Sequence, residues 1–202
     1  MKCNNVIFDI GNVLLNFKPL EYLKTKIVDH DKALEVYEQI FKSDEWVELD
    51  RGTLSEEDAI NILSARYPEN EHFIRMAFDN WYDLLTPMED TVKILKDLKA
   101  ANYKVYFLSN FQQLAYEVVS NRYDFFSLFD GGIVSYKEKL VKPEESIYRK
   151  LVEVYGIKPE ESVFTDDTPS NVEAAVKLGF NGVIFKDAND LKEKLISYGI
   201  HI

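Results

Sequence analysis

A chain of 202 residues, 46% hydrophobic and 29% charged, is composed like a folded globular protein and can bury one sizeable core with a smaller helical unit beside it. Its formal net charge of −11 argues against nucleic acid as a partner, because a phosphate backbone needs a basic face. It leaves a small phosphate ester open, since a metal ion and one lysine can dominate a field that salt screens within about 10 Å.

The lone cysteine, Cys3, excludes a disulfide framework and a thiolate zinc site and suits a reducing cytosol. Asp9 interrupts the first apolar run, so no signal peptide is expected, and no stretch approaches a membrane span. A cytoplasmic protein without membrane contact is expected.

Val6-Ile7-Phe8 predicts a buried strand, with Asp9 and Gly11 at its end. A carboxylate at the mouth of an apolar strand is costly unless a metal, hydrogen bonds or a cation compensates it. Taken alone, Asp9 reads as a turn cap. From Gly11 to Phe17 the pattern leaves regular structure. A helical region then runs from about Pro19 to Tyr82. Leu20, Leu23 and Ile27 mark its first helix, and Ala33, Val36, Tyr37, Ile40 and Phe41 its second. Arg51-Gly52-Thr53-Leu54 is a turn, and Ser55-Glu56-Glu57-Asp58 a capping-box pattern opening a helix that Pro68 ends. Phe73, Met76, Ala77, Trp81 and Leu84 mark another. No strand pattern occurs between Leu15 and Thr86. The expectation is a helical cap at 16–86, inserted between two parts of a core at 1–15 and 87–202.

Thr86-Pro87-Met88-Glu89 predicts a helix start, and from there helices and strands alternate. Val92, Leu95 and Leu98 mark a helix before the strand Lys104–Leu108, which ends at Ser109-Asn110. A helix to about Arg122 precedes a strand at Gly132–Ser135. A helix from Pro143 to about Tyr155 precedes Ser162–Thr165, which ends at Asp166-Asp167. Thr168-Pro169 opens a helix closed by Gly179, and Gly182–Phe185 is a fifth strand before a final helix. This alternation predicts an α/β fold, a Rossmann-like doubly wound parallel sheet with the helical cap inserted. Ligands in such sheets lie outside the carboxyl ends of the strands. Asp9, Ser109 and Asp166-Asp167 all fall there, and Lys142 lies in the connection leaving the third strand. One site is predicted.

Asp9, Asp166 and Asp167 bring up to three carboxylates to one sheet edge. Oxygen donors without His or Cys favour a hard cation, and magnesium takes one or two carboxylates together with waters and substrate phosphate. A helix N-terminus accounts for one acid near Thr168-Pro169, but less readily for two directly after Val163-Phe164. Pro143 suits a first helical turn, which puts Lys142 at the N-cap, where a lysine caps nothing. Lys142 is then either solvated beside Lys137 and Lys139, or a cation that neutralises a phosphate or holds Asp9. Ser109 either donates to a phosphoryl oxygen or simply ends a strand.

The order Asp, Ser, Lys, Asp-Asp resembles the haloacid dehalogenase superfamily. Its four motifs stand here as Phe8-Asp9-Ile10-Gly11-Asn12-Val13, Leu108-Ser109-Asn110, Lys142-Pro143 and Phe164-Thr165-Asp166-Asp167-Thr168-Pro169-Ser170-Asn171. The subgroup it resembles contains sugar-phosphate phosphatases active on glucose 1-phosphate, and the chain is similar to the phosphatase domain of soluble epoxide hydrolases. The resemblance implies a magnesium-dependent phosphatase acting on a small phosphorylated metabolite, a sugar phosphate in particular. Asp9 would attack phosphorus and form an aspartyl-phosphate, with Lys142 and Ser109 stabilising the transferring group. The magnesium ligands would be Asp9, the main-chain carbonyl of Gly11 and Asp167, with Asp166 a further or outer ligand. Asn171 stands where many relatives carry a second acid that helps hold the metal. Ser109, Asn110 and Lys142 would bind the phosphate, and Arg51 in the cap is a further substrate-binding candidate beside Trp46, Glu48, Trp81 and Tyr82.

Gly11 departs from the pattern. Most phosphatases of the superfamily carry a second Asp there as general acid and base, whose loss costs about 10²–10⁴-fold. Either the leaving group needs little protonation, or another residue substitutes, or the protein is weakly catalytic. A phosphomutase of the same fold and a phosphometabolite-binding protein with little turnover are the alternative expectations.

Overall fold

The computed structural model describes residues 3–202. Five strands, β1 (Asn5–Phe8), β2 (Lys104–Ser109), β3 (Gly131–Val134), β4 (Ser162–Asp166) and β5 (Asn181–Ile184), form one parallel sheet in the order β3-β2-β1-β4-β5. The chain winds outward from β1 to β3 and then returns to the other flank of β1. The direction of winding therefore reverses between β1 and β4, where open α/β sheets leave a crevice.

Between β1 and β2 lie α1 (Pro19–Lys26), α2 (His30–Phe41), α3 (Asp44–Arg51), α4 (Glu56–Arg66) and α5 (Glu71–Phe78). After them come α6 (Glu89–Ala100), α7 (Gln113–Arg122), the single turn α8 (Ser135–Glu138), α9 (Glu145–Tyr155), α10 (Pro169–Lys177) and α11 (Ala188–Ser197). No helix among the described residues is long and apolar enough to cross a membrane.

Alternation along the strands builds the two layers. Val6 and Phe8 face one way with Val105, Phe107, Val163 and Val183, against Leu95, Leu98, Leu191 and Leu195 of α6 and α11. Ile7 faces the other way with Tyr106, Leu108, Ile133 and Phe164, against Ile147, Tyr148, Leu151 and Ala175 of α9 and α10. Burial on both faces is why these strands read as unbroken apolar runs.

Several boundaries differ from the sequence expectation. Thr86-Pro87 does not start α6, which begins at Glu89 without a side-chain cap. Those residues pair instead with the chain leaving β1: Asn16 N–H donates to Thr86 O at 2.8 Å, Met88 N–H to Leu14 O at 2.8 Å, and the Thr86 hydroxyl accepts from Asn16 Nδ2 at 3.1 Å. The outgoing and returning strands of the helical insertion thus close side by side at Leu15 and Pro87.

Lys142 is not an N-cap either. Glu144 precedes the first residue of α9, and Lys142-Pro143 is a cis peptide. Ser135 begins α8 rather than ending β3. The helix expected through Leu84 stops at Phe78 and resumes as a 3₁₀ turn at Trp81–Leu84. Finally, α3 has no counterpart in the sequence reading, although Ser43 caps it by accepting from Trp46 N–H at 3.2 Å and Gly52 ends it in the left-handed region.

Candidate active site

Asp9 directly follows β1, and its N–H donates to Thr165 O at 2.9 Å, so the ladder runs one residue past the strand and sets Asp9 across from Asp166. Ser109 ends β2 on the other flank. Its hydroxyl donates to Asp9 Oδ1 at 2.7 Å, and Ile10 N–H donates to the same oxygen at 2.7 Å. Lys142 Nζ lies 2.9 Å from that oxygen and 2.5 Å from Asp166 Oδ2. Three donors therefore converge on Oδ1, and among the described residues no hydrogen bond ends on Oδ2.

Lys142 is buried, not solvated: its side chain is 2% exposed. Asn110 holds its main chain in place, accepting from Lys142 N–H at 2.8 Å and donating to Lys142 O at 3.0 Å. The side chain of Asn110, a phosphate-binding candidate from sequence, is thus engaged in clamping the lysine. Burial acts to lower the Lys142 pKa, but Asp166 and Asp9 more than reverse it, and the net shift is upward. The ammonium keeps its charge.

Burial raises the Asp9 carboxyl to about 7, against the pull of Lys142 and with the push of Asp166. Asp166, fully buried, accepts from Lys142, from Thr168 N–H at 2.8 Å and from Asn171 Nδ2 at 3.1 Å. Asn171 thus orients Asp166 with its amide. Asp167 is more open. It accepts from Asn12 Nδ2 at 3.1 Å, and burial raises its pKa. Asn12 stands in the left-handed region at φ 52°, a conformation asparagine tolerates, and its Oδ1 accepts from Phe17 N–H at 3.0 Å. Nothing in the sequence pattern distinguished Asn12 as the link between the β1 loop and Asp167.

Asp9, Asp166 and Asp167 each offer a carboxylate oxygen within 4.8 Å of the others. One lysine faces three carboxylates, so the cluster carries surplus negative charge that a cation would compensate. Its all-oxygen donor set fits a hard divalent ion. The oxygens of Asp166 are already committed to Lys142, Thr168 and Asn171, which leaves Asp9 and Asp167 the freer to hold such an ion.

A cavity of about 60 Å³ opens at the sheet edge, lined by Gly11, Asn110, Phe111 and Gln112 from the sheet side and by Phe17, Trp46, Asp50, Trp81 and Leu85 opposite. Trp46 lies 5.2 Å from Trp81 between ring centroids and stacks on Phe17 at 6.1 Å. Both tryptophans are buried, so they belong to the helical core and wall the cavity at once.

Arg51 does not reach this cavity. It forms a two-pronged ion pair with Glu144, at 2.7 and 3.1 Å, and a longer contact with Glu48 at 3.3 Å. Glu48 also accepts from the Thr53 hydroxyl, and Tyr82 donates to Asn80.

The residue that sequence reading passed over is Asp50, beside Arg51. Desolvation, reinforced by the negative field of Asp9, raises its carboxyl to about 8 despite Lys142. Its four-residue spacing from Trp46, which places the two on one helix face, was the available signal.

A family model described as a haloacid dehalogenase-like hydrolase matches residues 3–179. A sesquiterpene phosphatase of Aspergillus oryzae is 26% identical over 182 residues, 90% of this chain and 89% of the relative. A D-ribitol-5-phosphate phosphatase of Bacteroides thetaiotaomicron is 26% identical over 208 residues, 95% of this chain and 96% of the relative. A haloacid dehalogenase family enzyme of B. thetaiotaomicron, solved in complex with magnesium and inorganic phosphate, shares the fold at TM-score 0.71 and 23% identity, over 92% of this chain and 95% of its own. With the four motifs gathered at one sheet edge and the family model spanning most of its length, the chain belongs to the haloacid dehalogenase-like hydrolases.

Proposed function

We propose that the protein is a magnesium-dependent phosphatase that cleaves a small phosphate monoester through an aspartyl-phosphate. The observation that carries this reading is the asymmetry of Asp9: three donors fix Oδ1, while Oδ2 accepts from none of the described residues. A carboxylate held in this way has one oxygen oriented for attack on phosphorus and its partner secured. Lys142 and the Ser109 hydroxyl, both already at Asp9, stabilise charge on the transferring phosphoryl oxygens. Asp9 and Asp167, with the Gly11 carbonyl, would hold the magnesium and Asp166 would orient Lys142. When bound, the ion neutralises phosphate charge that the acidic cluster would otherwise repel.

Residues 16–86 act as a cap on the core formed by 1–15 and 87–202, and the cap side of the cavity selects the leaving group. Its wall of Phe17, Trp46, Trp81 and Leu85 favours an apolar face. A sugar phosphate supplies one through the C–H face of its ring. A terpenyl phosphate, the class in the name of the A. oryzae relative, fills the cavity with hydrocarbon. A cytoplasmic setting is part of the proposal, supported by Cys3 as a lone buried thiol.

The test is phosphate release from a panel of sugar phosphates and prenyl monophosphates, with magnesium and with a chelator. Release with magnesium, lost on chelation and in Asp9→Asn, is the expected result. Binding of these esters without turnover would instead favour the phosphometabolite-binding alternative.

A further inference from the structure

Gly11 leaves a gap that the fold fills from the other side of the cavity. A Cβ built on Gly11 would meet nothing within 4 Å, so the place where relatives carry an acid is open space. Asp50 lines the same cavity from the C-terminal turn of α3. Among the described residues its carboxylate has neither an ion-pair nor a hydrogen-bond partner.

The main chain around Asp50, by contrast, is fixed to the core. Ser135 Oγ donates to Asp50 O at 2.5 Å, and the same hydroxyl oxygen accepts from Phe111 N–H at 2.8 Å. Lys139 Nζ donates to Gly52 O, and Arg51 grips Glu144. Gly52 is required for this contact: its φ is 73°, and a Cβ there would come within 2.7 Å of Tyr136 O. Three tethers therefore present one unpartnered carboxyl to the cavity.

A second group in the cavity also lacks a partner. Gln112 is 4% exposed, and among the described residues its Nε2 has no acceptor. A buried amide donor without an acceptor is costly, and a ligand oxygen in the cavity would satisfy it.

We propose that Asp50 is the general acid and base of the reaction, supplied by the helical insertion in place of the acid absent at Gly11, with Gln112 donating to an oxygen of the leaving group. This rests on the phosphatase reading above. In the first half-reaction an Asp9 oxygen bonds to phosphorus, the P–O bond to the leaving group breaks, and the Asp50 proton passes to that oxygen, releasing an alcohol. In the second, the Asp50 carboxylate takes a proton from water as the water oxygen bonds to phosphorus. The bond to Asp9 then breaks, inorganic phosphate leaves, and Asp50 is protonated again. The aromatic walls favour the neutral acid that the first step needs.

The experiment compares Asp50→Asn with the unaltered protein on two esters, glucose 6-phosphate and p-nitrophenyl phosphate. The first expels an alkoxide that must be protonated, the second a stable phenolate. Asp50→Asn is expected to lower kcat/KM for the sugar ester by about 10²–10⁴-fold and for the aryl ester by less than about 10-fold. Equal falls on both esters, or no fall, would overturn the assignment.

Gly11→Asp in the unaltered protein gives an independent arm that does not require Asp50→Asn to fold. A chain that already has its acid shows the same proportional change on the sugar ester as on the aryl ester, whereas a chain lacking one gains about 10²-fold or more on the sugar ester relative to the aryl ester. The second outcome also overturns the proposal. An unaltered protein inert toward both esters and the wider panel defeats the phosphatase reading itself, a result distinct from either.

Discussion

The side-chain amide of Asn110 brackets the backbone of Lys142, accepting from its N–H at 2.8 Å and donating to its carbonyl at 3.0 Å. Two bonds in opposite senses fix both where Lys142 starts and which way its side chain leaves, and the buried ammonium then meets Asp9 and Asp166. Asn110→Ala should therefore lower kcat by about 10–100-fold, the usual cost of losing a group that orients an active-site residue, and leave KM within a few-fold. Steady-state kinetics on any turned-over ester decides this. A rise in KM with kcat preserved would mean that the Asn110 side chain binds substrate directly.

Neighbouring acids at the end of β4 should behave oppositely. Asp166 is fully buried and is the shared acceptor of Lys142, Thr168 N–H and Asn171, so Asp166→Ala removes one of the two acids that pair a buried cation and leaves two donors without their acceptor. A loss of about 3–5 kcal/mol of folding stability is expected. Asp167 is more exposed and, among the described residues, has side-chain partners only in Asn12 and Thr168. Asp167→Ala should cost less than about 1 kcal/mol while raising the magnesium concentration needed for half-maximal activity at least 10-fold. Urea unfolding and a magnesium titration of both variants separate the roles, and matching profiles would refute them.

The sheet and its edge were legible because their signals are local and repeated. Each strand is a short apolar run, and Asp9, Ser109 and Asp166 each stand at the carboxyl end of one, so alternation with helices was enough to bring them together. Lys142 was legible as a residue but not as a geometry. What holds it is Asn110, thirty-two positions earlier, and no local spacing encodes that pairing. The same holds for Thr86-Pro87, whose capping pattern lost to pairing with Leu14, Leu15 and Asn16 across the neck of the insertion. Five of the eight residues of α3 are charged, so its apolar period is faint and Asp50 stayed hidden while Arg51 beside it drew attention. In the fold Arg51 faces Glu144 and Asp50 lines the cavity.

That division makes Arg51 testable against its partner. Arg51 and Glu144 span the insertion and the core with side chains 22% and 40% exposed, so the pair should be worth only about 0.5–1 kcal/mol in a double-mutant cycle. Arg51→Ala and Glu144→Ala should change KM equally, because each releases the same tether. A KM defect confined to Arg51→Ala would assign the guanidinium to substrate instead.

Far from the site, Asp130 ties β2 to α6 and gives a pH signature. It accepts from Lys99 at 2.7 Å, Lys104 at 2.8 Å and Val105 N–H at 3.0 Å. Desolvation pushes its pKa up, but the two lysines and the amide outweigh this and hold it at about 2. The unfolded chain binds that proton near pH 4. Because the folded value is depressed, the stabilisation is fully present above about pH 4 and is lost as pH falls toward about 2. With Lys104 largely in solvent, its size is about 1–2 kcal/mol. Asp130→Asn, which keeps an acceptor for Val105 but removes the charge, should be less stable by that amount at pH 7. The gap should narrow steadily in urea unfolding at pH 4 and pH 3, since the native protein then loses what the variant never had. A gap of constant size across that range would show that shape, and not ionisation, is what Asp130 contributes.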